Sequence, residues 1–430
     1  MVLTRLLDSR AVPTDPRPRT HWTTTLPAGV RDLSAHLESE GYEAWLVGES
    51  LMRLLIGRAP GAFELATTAP SERTLDLFPQ AIPTQSALGI VTVPTGGAPV
   101  DVLSLRNGCS LAEALARRDF TVLAMAYRPQ TQTFLDPQAG ERDLEALHLR
   151  CVGDGSECFS EDPLRMLRAA RLVSNYALAP QPDLEAAMTA AGSSCARVST
   201  PRIRGELARL LLGNHPAEGL GLLRRTGLEA RIAPGTRSDS GALVATLPRD
   251  LVVRVAAWLR GTRTGPLLRQ LRFGVDRSRQ VESLLAHHPL DARVNPRRDR
   301  MLSRLLEQVT PTHLEALFAM RDWELQHADE ETDVAEAHKQ LSAIRSGIAR
   351  ILQARARRRG RPRLALDGRA VMQLLGCQPG RQVGAALRFL MDWVDLDPDR
   401  NEADALRAAL LEWKTQTTDR KKPGHDLPES

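Results

Sequence analysis

The stretch Ala44-Trp45-Leu46-Val47-Gly48-Glu49-Ser50-Leu51-Met52-Arg53-Leu54-Leu55-Ile56-Gly57-Arg58, followed by Phe63-Glu64-Leu65-Ala66-Thr67-Thr68-Ala69, decides the fold of this 430-residue chain. A short apolar run ends at a glycine, and apolar residues at Leu51, Leu54 and Leu55 then recur at helical spacing, so the segment predicts strand, turn and helix. A glycine turn opening a helix lets backbone N–H groups face a phosphate, and an acidic strand nearby can hold a divalent cation. Glycine at such a turn is also ordinary turn chemistry, so the segment alone assigns no function.

Working outward, Val30, Leu33 and Leu37 mark an amphipathic helix before the segment. Further strands are predicted near 63–66, 90–94 and 100–105, which makes residues 26 to about 130 an α/β or α+β domain of about a hundred residues. Beyond residue 160 or so the strand signals stop. Leucines at 164, 167 and 172, at 207, 210 and 211, and at 302, 305 and 306 follow helical spacing instead. Gly and Pro clusters near 234–241 and 360–362 punctuate this helical part. The chain therefore reads as an N-terminal tail (1–24), a mixed head (25–155), a helical neck (156–234), a helical body (235–345), a helical tail domain (346–413) and a polar C-terminal tail (414–430).

Composition excludes more than it assigns. Hydrophobic residues at 42% and charged residues at 25% are ordinary globular values. No run approaches the roughly 18 apolar residues of a membrane span, and the start lacks a signal-peptide layout, so a cytoplasmic protein is expected. The five cysteines, Cys109, Cys151, Cys158, Cys195 and Cys377, are scattered and form no C-x-x-C pair, and they read as free thiols. The net charge of +5 is carried by arginine, the lysines being Lys339, Lys414, Lys421 and Lys422 alone. Arginine forks suit phosphate, although a GC-rich genome gives the same bias.

The order and spacing of the opening segment resemble the head of the class II tRNA nucleotidyltransferase (CCA-adding enzyme) and bacterial poly(A) polymerase family, where a Val-Gly-Gly turn precedes an Asp-x-Asp strand. Val100-Asp101-Val102 matches the strand carrying a further carboxylate. Arg117-Arg118-Asp119-Phe120-Thr121 matches the family's Arg-Arg-Asp-Phe-Thr, and Asp136-Pro137 with Gly140 and Asp143-Leu144 matches the next turn. Glu161-Asp162-Pro163-Leu164-Arg165-Met166-Leu167-Arg168 is similar to the family's Glu-Asp-Pro-Leu-Arg neck helix and is the most specific match. Arg202-Ile203 with Glu206-Leu207, Thr226-Gly227, and near the end Leu366-Asp367-Gly368, Gly376, Pro379-Gly380 and Asn401 extend the likeness from about 26 to 413. The resemblance implies an α+β polymerase-β-like head followed by all-α neck, body and tail domains. It also implies RNA, above all tRNA, with ATP or CTP, as partners.

The same resemblance implies that Asp162 and Arg165 read the incoming base. Cytosine and adenine each present an amino donor beside a ring-nitrogen acceptor, which a carboxylate and a guanidinium complement. Gly48, Arg117, Arg118, Asp119 and Arg168 complete the implied nucleotide-binding set. Asp162 and Pro163 also suit the start of any helix, and both readings can hold together.

Where the family carries Asp-x-Asp this chain has Ala62-Phe63-Glu64, which leaves Glu64 and Asp101 as the catalytic and metal-binding candidates. Two carboxylates can hold one hydrated magnesium but hardly the bridged pair that such transfer uses. Glu49 replaces the second glycine of the turn, where its charge would repel a triphosphate. Met52 and Arg53 replace the following Arg and Asp, Leu123 replaces an Asn, and Arg53 could stand in for a lost cation. The expectation is an RNA-binding paralogue of an active enzyme with impaired transfer. The alternatives are a divergent enzyme adding CMP or AMP to RNA 3′ ends, and a nucleotide sensor that binds without transfer.

Other stretches read more plainly. His287-His288 with Asp291 invites a metal-site reading, but adjacent histidines before Pro289 suit a helix end better. Arg355, Arg357, Arg358, Arg359, Arg361 and Arg363 form the densest basic run, either a solvated face or an RNA-phosphate contact. The acidic stretch from 323 to 343 reads as a solvent-facing helix.

Overall fold

The computed structural model describes residues 26–85, 89–105, 109–329, 333–359 and 364–419. A seven-stranded mixed sheet, in the order β3-β4-β5-β2-β1-β6-β7, occupies the head. Its strands are β1 (Ala44–Val47), β2 (Phe63–Thr67), β3 (Ile82–Gln85), β4 (Ile90–Val93), β5 (Val100–Ser104), β6 (Ala126–Arg128) and β7 (Thr133–Leu135). The helix Gly48–Leu55 follows β1 directly, as the opening segment predicts. The fold is α+β. Strands β3, β6 and β7 carry no usable sequence signal, because three- and four-residue strands are too short to show alternation and β3 contains Pro83.

Only β2 and β5 pair in parallel; every other neighbouring pair in this sheet is antiparallel. The parallel register sets Glu64 beside Asp101, flanked by Leu65 beside Val102. Leu46, Leu65, Val100 and Val102 are fully buried, whereas Glu64 and Asp101 alternate outward, so both carboxylates stand on one face of the sheet.

Beyond the head the described residues are almost entirely helical, with one two-residue exception where β8 (His148–Leu149) pairs with β9 (Ala179–Pro180). The helix Leu164–Tyr176 buries Met166, Leu167, Ala170, Leu172 and Val173 and packs on the helices Thr200–Leu211 and Pro216–Arg225. Among the described residues no helix is long and apolar enough to cross a membrane.

The chain divides into two compact units, one of Met1–Arg293 with Glu307–His338, the other of Val294–Leu306 with Lys339–Ser430. In the second unit Leu366, Val371, Leu375, Leu390, Leu406 and Leu410 form a core. The tail motif has local structural work in it. Asp367 caps the helix Gly368–Leu375 by accepting from Arg369 N and Ala370 N, Gly376 ends it at φ 66°, and Asn401 Oδ1 accepts from Ala365 N at 2.9 Å. The helix Ala403–Asp419 continues past residue 413, where the sequence suggested the start of a tail. The terminal segments 1–24 and 420–430 lie outside the described residues.

Candidate active site

Glu64 and Asp101 project from neighbouring strands, yet each already has a partner. Arg118 Nη1 and Nη2 donate to Glu64 Oε2 at 3.3 and 3.4 Å, and Thr92 Oγ1 donates to Asp101 Oδ1 at 2.6 Å. Ala62 lies exposed just before β2 and offers a methyl group where a carboxylate would be needed. Among the described residues no group of three or more His, Cys, Asp or Glu side chains is placed to hold a metal. The donor set suits at most one hydrated magnesium and does not fit a carboxylate-bridged pair of cations.

Gly48 is required by this geometry. It has φ +72°, and a Cβ there would lie 2.6 Å from Glu64 Oε2 and 2.9 Å from Arg118 Nη1. The turn, Glu64 and Arg118 therefore touch, and no side chain caps the first turn of the helix that starts at Gly48.

Glu49 does not point at this face. Its carboxylate accepts from Arg171 Nη1 at 2.6 Å and from Tyr176 Oη at 2.5 Å, both on the helix Leu164–Tyr176. Burial pushes its pKa up, but the Arg171 charge and the Tyr176 and Arg171 hydrogen bonds outweigh that and hold it below the ordinary glutamate value. The repulsion of a triphosphate expected from the sequence is thus corrected, since Glu49 is neutralised and turned into the neck. Arg53 is corrected likewise. Its Nε donates to Ala59 O at 2.8 Å and its Nη1 lies 3.5 Å from Tyr176 Oη, so the guanidinium on Glu64 is that of Arg118. Met52 is fully buried and packs in the core.

The neck helix presents Arg165, Arg168 and Arg171 at i, i+3 and i+6, which lines three guanidiniums along one side. Arg165 Nη2 donates to Arg117 O at 3.1 Å, Arg168 Nη1 to Asp119 Oδ2 at 2.6 Å, and Arg171 to Glu49. The ladder fastens the neck to the Arg117-Arg118-Asp119 segment and to the glycine turn. Asp119 is buried, and burial raises its pKa, but Arg168 and then Arg118 and Arg165 bring it below the usual aspartate value. The Arg168 guanidinium is held charged, its pKa pushed up by Asp119. Asp119 therefore positions Arg168 and is itself shielded from solvent.

The side chains of the two residues implied as base readers are not paired with each other, although Arg165 N donates to Asp162 O at 3.0 Å. Asp162 Oδ1 accepts from Leu164 N at 3.1 Å, and Asp162 Oδ2 accepts from Arg202 Nη2 at 2.6 Å. Arg165 Nη1 donates to Cys158 O at 3.1 Å and to Glu161 Oε2 at 2.9 Å. About a third of the Asp162 side chain stays accessible, at 32%.

Sequence reasoning missed the anchoring role of Arg171 and its second partner Glu206, whose Oε2 lies 2.7 Å from Arg171 Nε in an ion pair too bent for a hydrogen bond. The Arg165-Arg168-Arg171 spacing was the available signal. The remaining candidates lie elsewhere. Arg355 is on the helix Val334–Arg359, while the side chains of Arg357, Arg358 and Arg359 and all of Arg361 and Arg363 fall outside the described residues. His287 Nδ1 meets Ser283 O at 2.8 Å, His288 Nε2 meets Glu324 Oε1 at 3.1 Å, and Asp291 is clamped by Arg321, so this cluster is an internal polar network.

Comparison with known proteins agrees with this layout. Residues 44–150 match the family model described as "Poly A polymerase head domain", and residues 178–239 match "Probable RNA and SrmB- binding site of polymerase A". These two matches, with CCA-adding enzymes among the relatives, support the class II tRNA nucleotidyltransferase and poly(A) polymerase family for the head and the segment after the neck. Among curated relatives, the CCA-adding enzyme of Geobacillus kaustophilus is 37% identical over 221 residues, 48% of this chain and 53% of the relative. The chain spans about half the length of the first such relatives. That of Levilactobacillus brevis is 28% identical over 398 residues, 87% of this chain and 95% of the relative. The crystal structure of the Bacillus stearothermophilus CCA-adding enzyme in complex with CTP superposes with a TM-score of 0.62 at 25% identity, covering 92% of this chain and all of that one. The Thermotoga maritima CCA-adding enzyme complexed with tRNA shares the fold, with a TM-score of 0.61 at 16% identity.

Proposed function

We propose that this chain is an RNA-binding member of its family that holds the 3′ end of a tRNA or another structured RNA and whose nucleotidyl transfer is impaired. One observation carries the reading. On the face where two bridged cations would be needed, Glu64 and Asp101 stand without a third carboxylate among the described residues, and Arg118 is already tied to Glu64. A lost cation worth several kcal/mol of transition-state stabilisation costs about four decades in rate, at about 1.36 kcal/mol per decade.

The binding chemistry survives that loss. The N–H groups at the Gly48 turn and the Arg118 guanidinium offer donors and positive charge to phosphate, and Asp162 with Arg165 offers an acceptor and a donor to the amino edge of cytosine or adenine. CTP and ATP are the nucleotides this pattern favours. The helix bearing Arg355 and the matched RNA-binding segment at 178–239 support RNA as the macromolecular partner. Magnesium, if bound, would sit on Glu64 and Asp101. A cytoplasmic setting beside an active paralogue suits such a protein.

The second reading is a working transferase that adds CMP or AMP to RNA 3′ ends. Glu64 and Asp101 standing in register favour it, as does kinship with CCA-adding enzymes. One experiment separates the two. Purified protein is incubated with tRNA lacking its 3′ end, magnesium or manganese, and labelled CTP or ATP. Impairment predicts no extension above a Glu64→Ala, Asp101→Ala double variant, together with retained tRNA binding. It also predicts at least about a tenfold gain on Ala62→Asp, which returns a carboxylate to the strand. Efficient extension by the unmodified chain that is lost on Asp101→Ala establishes the second reading instead.

A further inference from the structure

The carboxylate of Asp162 already holds a guanidinium, that of Arg202. Asp162 Oδ2 accepts from Arg202 Nη2 at 2.6 Å, while Asp162 Oδ1 accepts from Arg202 Nη1 at 3.4 Å and from Leu164 N at 3.1 Å. The two nitrogens of the fork thus meet the two oxygens of the carboxylate. The Arg202 side chain is 52% exposed and that of Asp162 32%, so the pair is open to a ligand. Arg165 is more committed. It is 16% exposed, with Nη1 on Cys158 O and Glu161 Oε2 and Nη2 on Arg117 O.

Helix docking sets Arg202 in place. It lies in the first turn of the helix Thr200–Leu211, which packs on the neck helix Leu164–Tyr176. One turn later the buried Glu206 meets Arg171 of the neck at 2.7 Å. Residues four apart share a helix face, so the contact that fixes Glu206 also turns Arg202 toward the neck.

We propose that Arg202 is a further specificity-determining residue of the nucleotide site: held on Asp162, it donates to the ring nitrogen beside the amino group of cytosine or adenine. A carboxylate oxygen has two acceptor positions, and each terminal guanidinium nitrogen carries two hydrogens. The 2.6 Å bond uses one of each, and among the described residues Asp162 Oδ2 accepts no other bond and Arg202 Nη2 donates no other. An acceptor and a donor therefore remain on two atoms one hydrogen bond apart. Cytosine sets its amino donor beside N3 and adenine sets its own beside N1, so each meets such an edge. Uracil and guanine, with a carbonyl beside an N–H, present the reverse. The pair is already joined by its own bond, so little ordering remains to be done when the base arrives.

The proposal rests on the reading that a base amino group meets Asp162, and it gives the ring-nitrogen contact chiefly to Arg202. Calorimetric titration of the full chain with three nucleotides isolates that contact. They are CTP, 3-deaza-CTP, which has C–H in place of N3, and the 2-pyrimidinone ribonucleoside triphosphate, which lacks the amino group. The unmodified chain should bind CTP about tenfold or more tightly than either analogue, the worth of a hydrogen bond to a charged group.

In Arg202→Met, CTP should fall to the level of 3-deaza-CTP but stay tighter than the analogue without the amino group, which shows Asp162 still reading. Arg165→Met should keep most of the 3-deaza gap. Arg202 is more than half exposed, so its loss should leave the melting profile unchanged, and Arg202→Ala is the second variant, with the same expected outcome. A 3-deaza gap that persists without the Arg202 side chain overturns the proposal and leaves the reading by Asp162 standing. Loss of both gaps in the Arg202 variants also overturns it, because Arg202 then only positions Asp162. If the unmodified chain binds all three nucleotides alike, or none at millimolar concentration, the reading by Asp162 fails and the role of Arg202 with it.

Discussion

Glu49→Gln tests the neck anchor most directly. The substitution keeps the shape of the side chain and an oxygen for Tyr176 Oη but removes the charge that faces Arg171. Arg171 is 8% exposed and has two carboxylate partners, Glu49 at 2.6 Å and Glu206 at 2.7 Å. Removing one partner of a buried pair costs about 3–5 kcal/mol when the remaining charge is left alone. Glu206 remains, so we take the loss as about 2–3 kcal/mol, which in a unit of this size lowers the melting midpoint by about 3–6 °C. Calorimetry on the unmodified chain, Glu49→Gln, Arg171→Met and the double variant measures it, with a coupling above about 1 kcal/mol expected. The pH dependence carries a definite sign. The folded-state pKa of Glu49 is depressed, so its contribution is present above the ordinary value of 4.5 and is lost as pH falls through the lower folded value. The gap between the unmodified chain and Glu49→Gln should therefore close in acid. Equal midpoints at neutral pH, or additive single effects, would refute the anchor.

Glu324→Gln leaves Arg260, Arg321 and His288 facing one another without the carboxylate they share, and should destabilise the first unit by about 3 kcal/mol in urea titration. Burial raises the Glu324 pKa but His288 and Arg260 draw it down to about 2, so its stabilisation is present above 4.5 and fades as pH falls toward about 2; the variant should lack that part of the acid slope. Gly140→Ala would set a Cβ 2.1 Å from Thr121 O, a backbone atom that cannot move alone, and should cost about 1–3 kcal/mol by thermal melting, with a change below about 0.5 kcal/mol counting against the packing described.

Periodicity and turn chemistry made much of the fold legible. The β1, glycine turn, helix and β2 succession reads directly, because β1 is a continuous apolar run, the helix shows its period and Gly48 marks the turn. The neck helix reads as clearly, with its leucines at core spacing and Asp162-Pro163 at its start. Strands β3, β6 and β7 did not read, and neither did the joining of 294–306 with the segment from 339 onward into one unit. That joining needs contacts between chain segments far apart, which no local pattern encodes.

The site divides along the same line. Residue types show by themselves that Ala62-Phe63-Glu64 lacks one carboxylate and that Asp101, Asp119, Asp162 and Arg165 are present. What Asp162 and Glu49 do was decided by partners 40 and 122 residues away, Arg202 and Arg171. A charge's effect depends on what neutralises it and how far it is buried, and both are set only when the chain has folded. The sequence alone thus determined a family-like head and neck with a thinned carboxylate set. The tertiary structure decided that Glu49 serves the neck and that Arg118 stands on Glu64. Those contacts arise from strand register and helix docking.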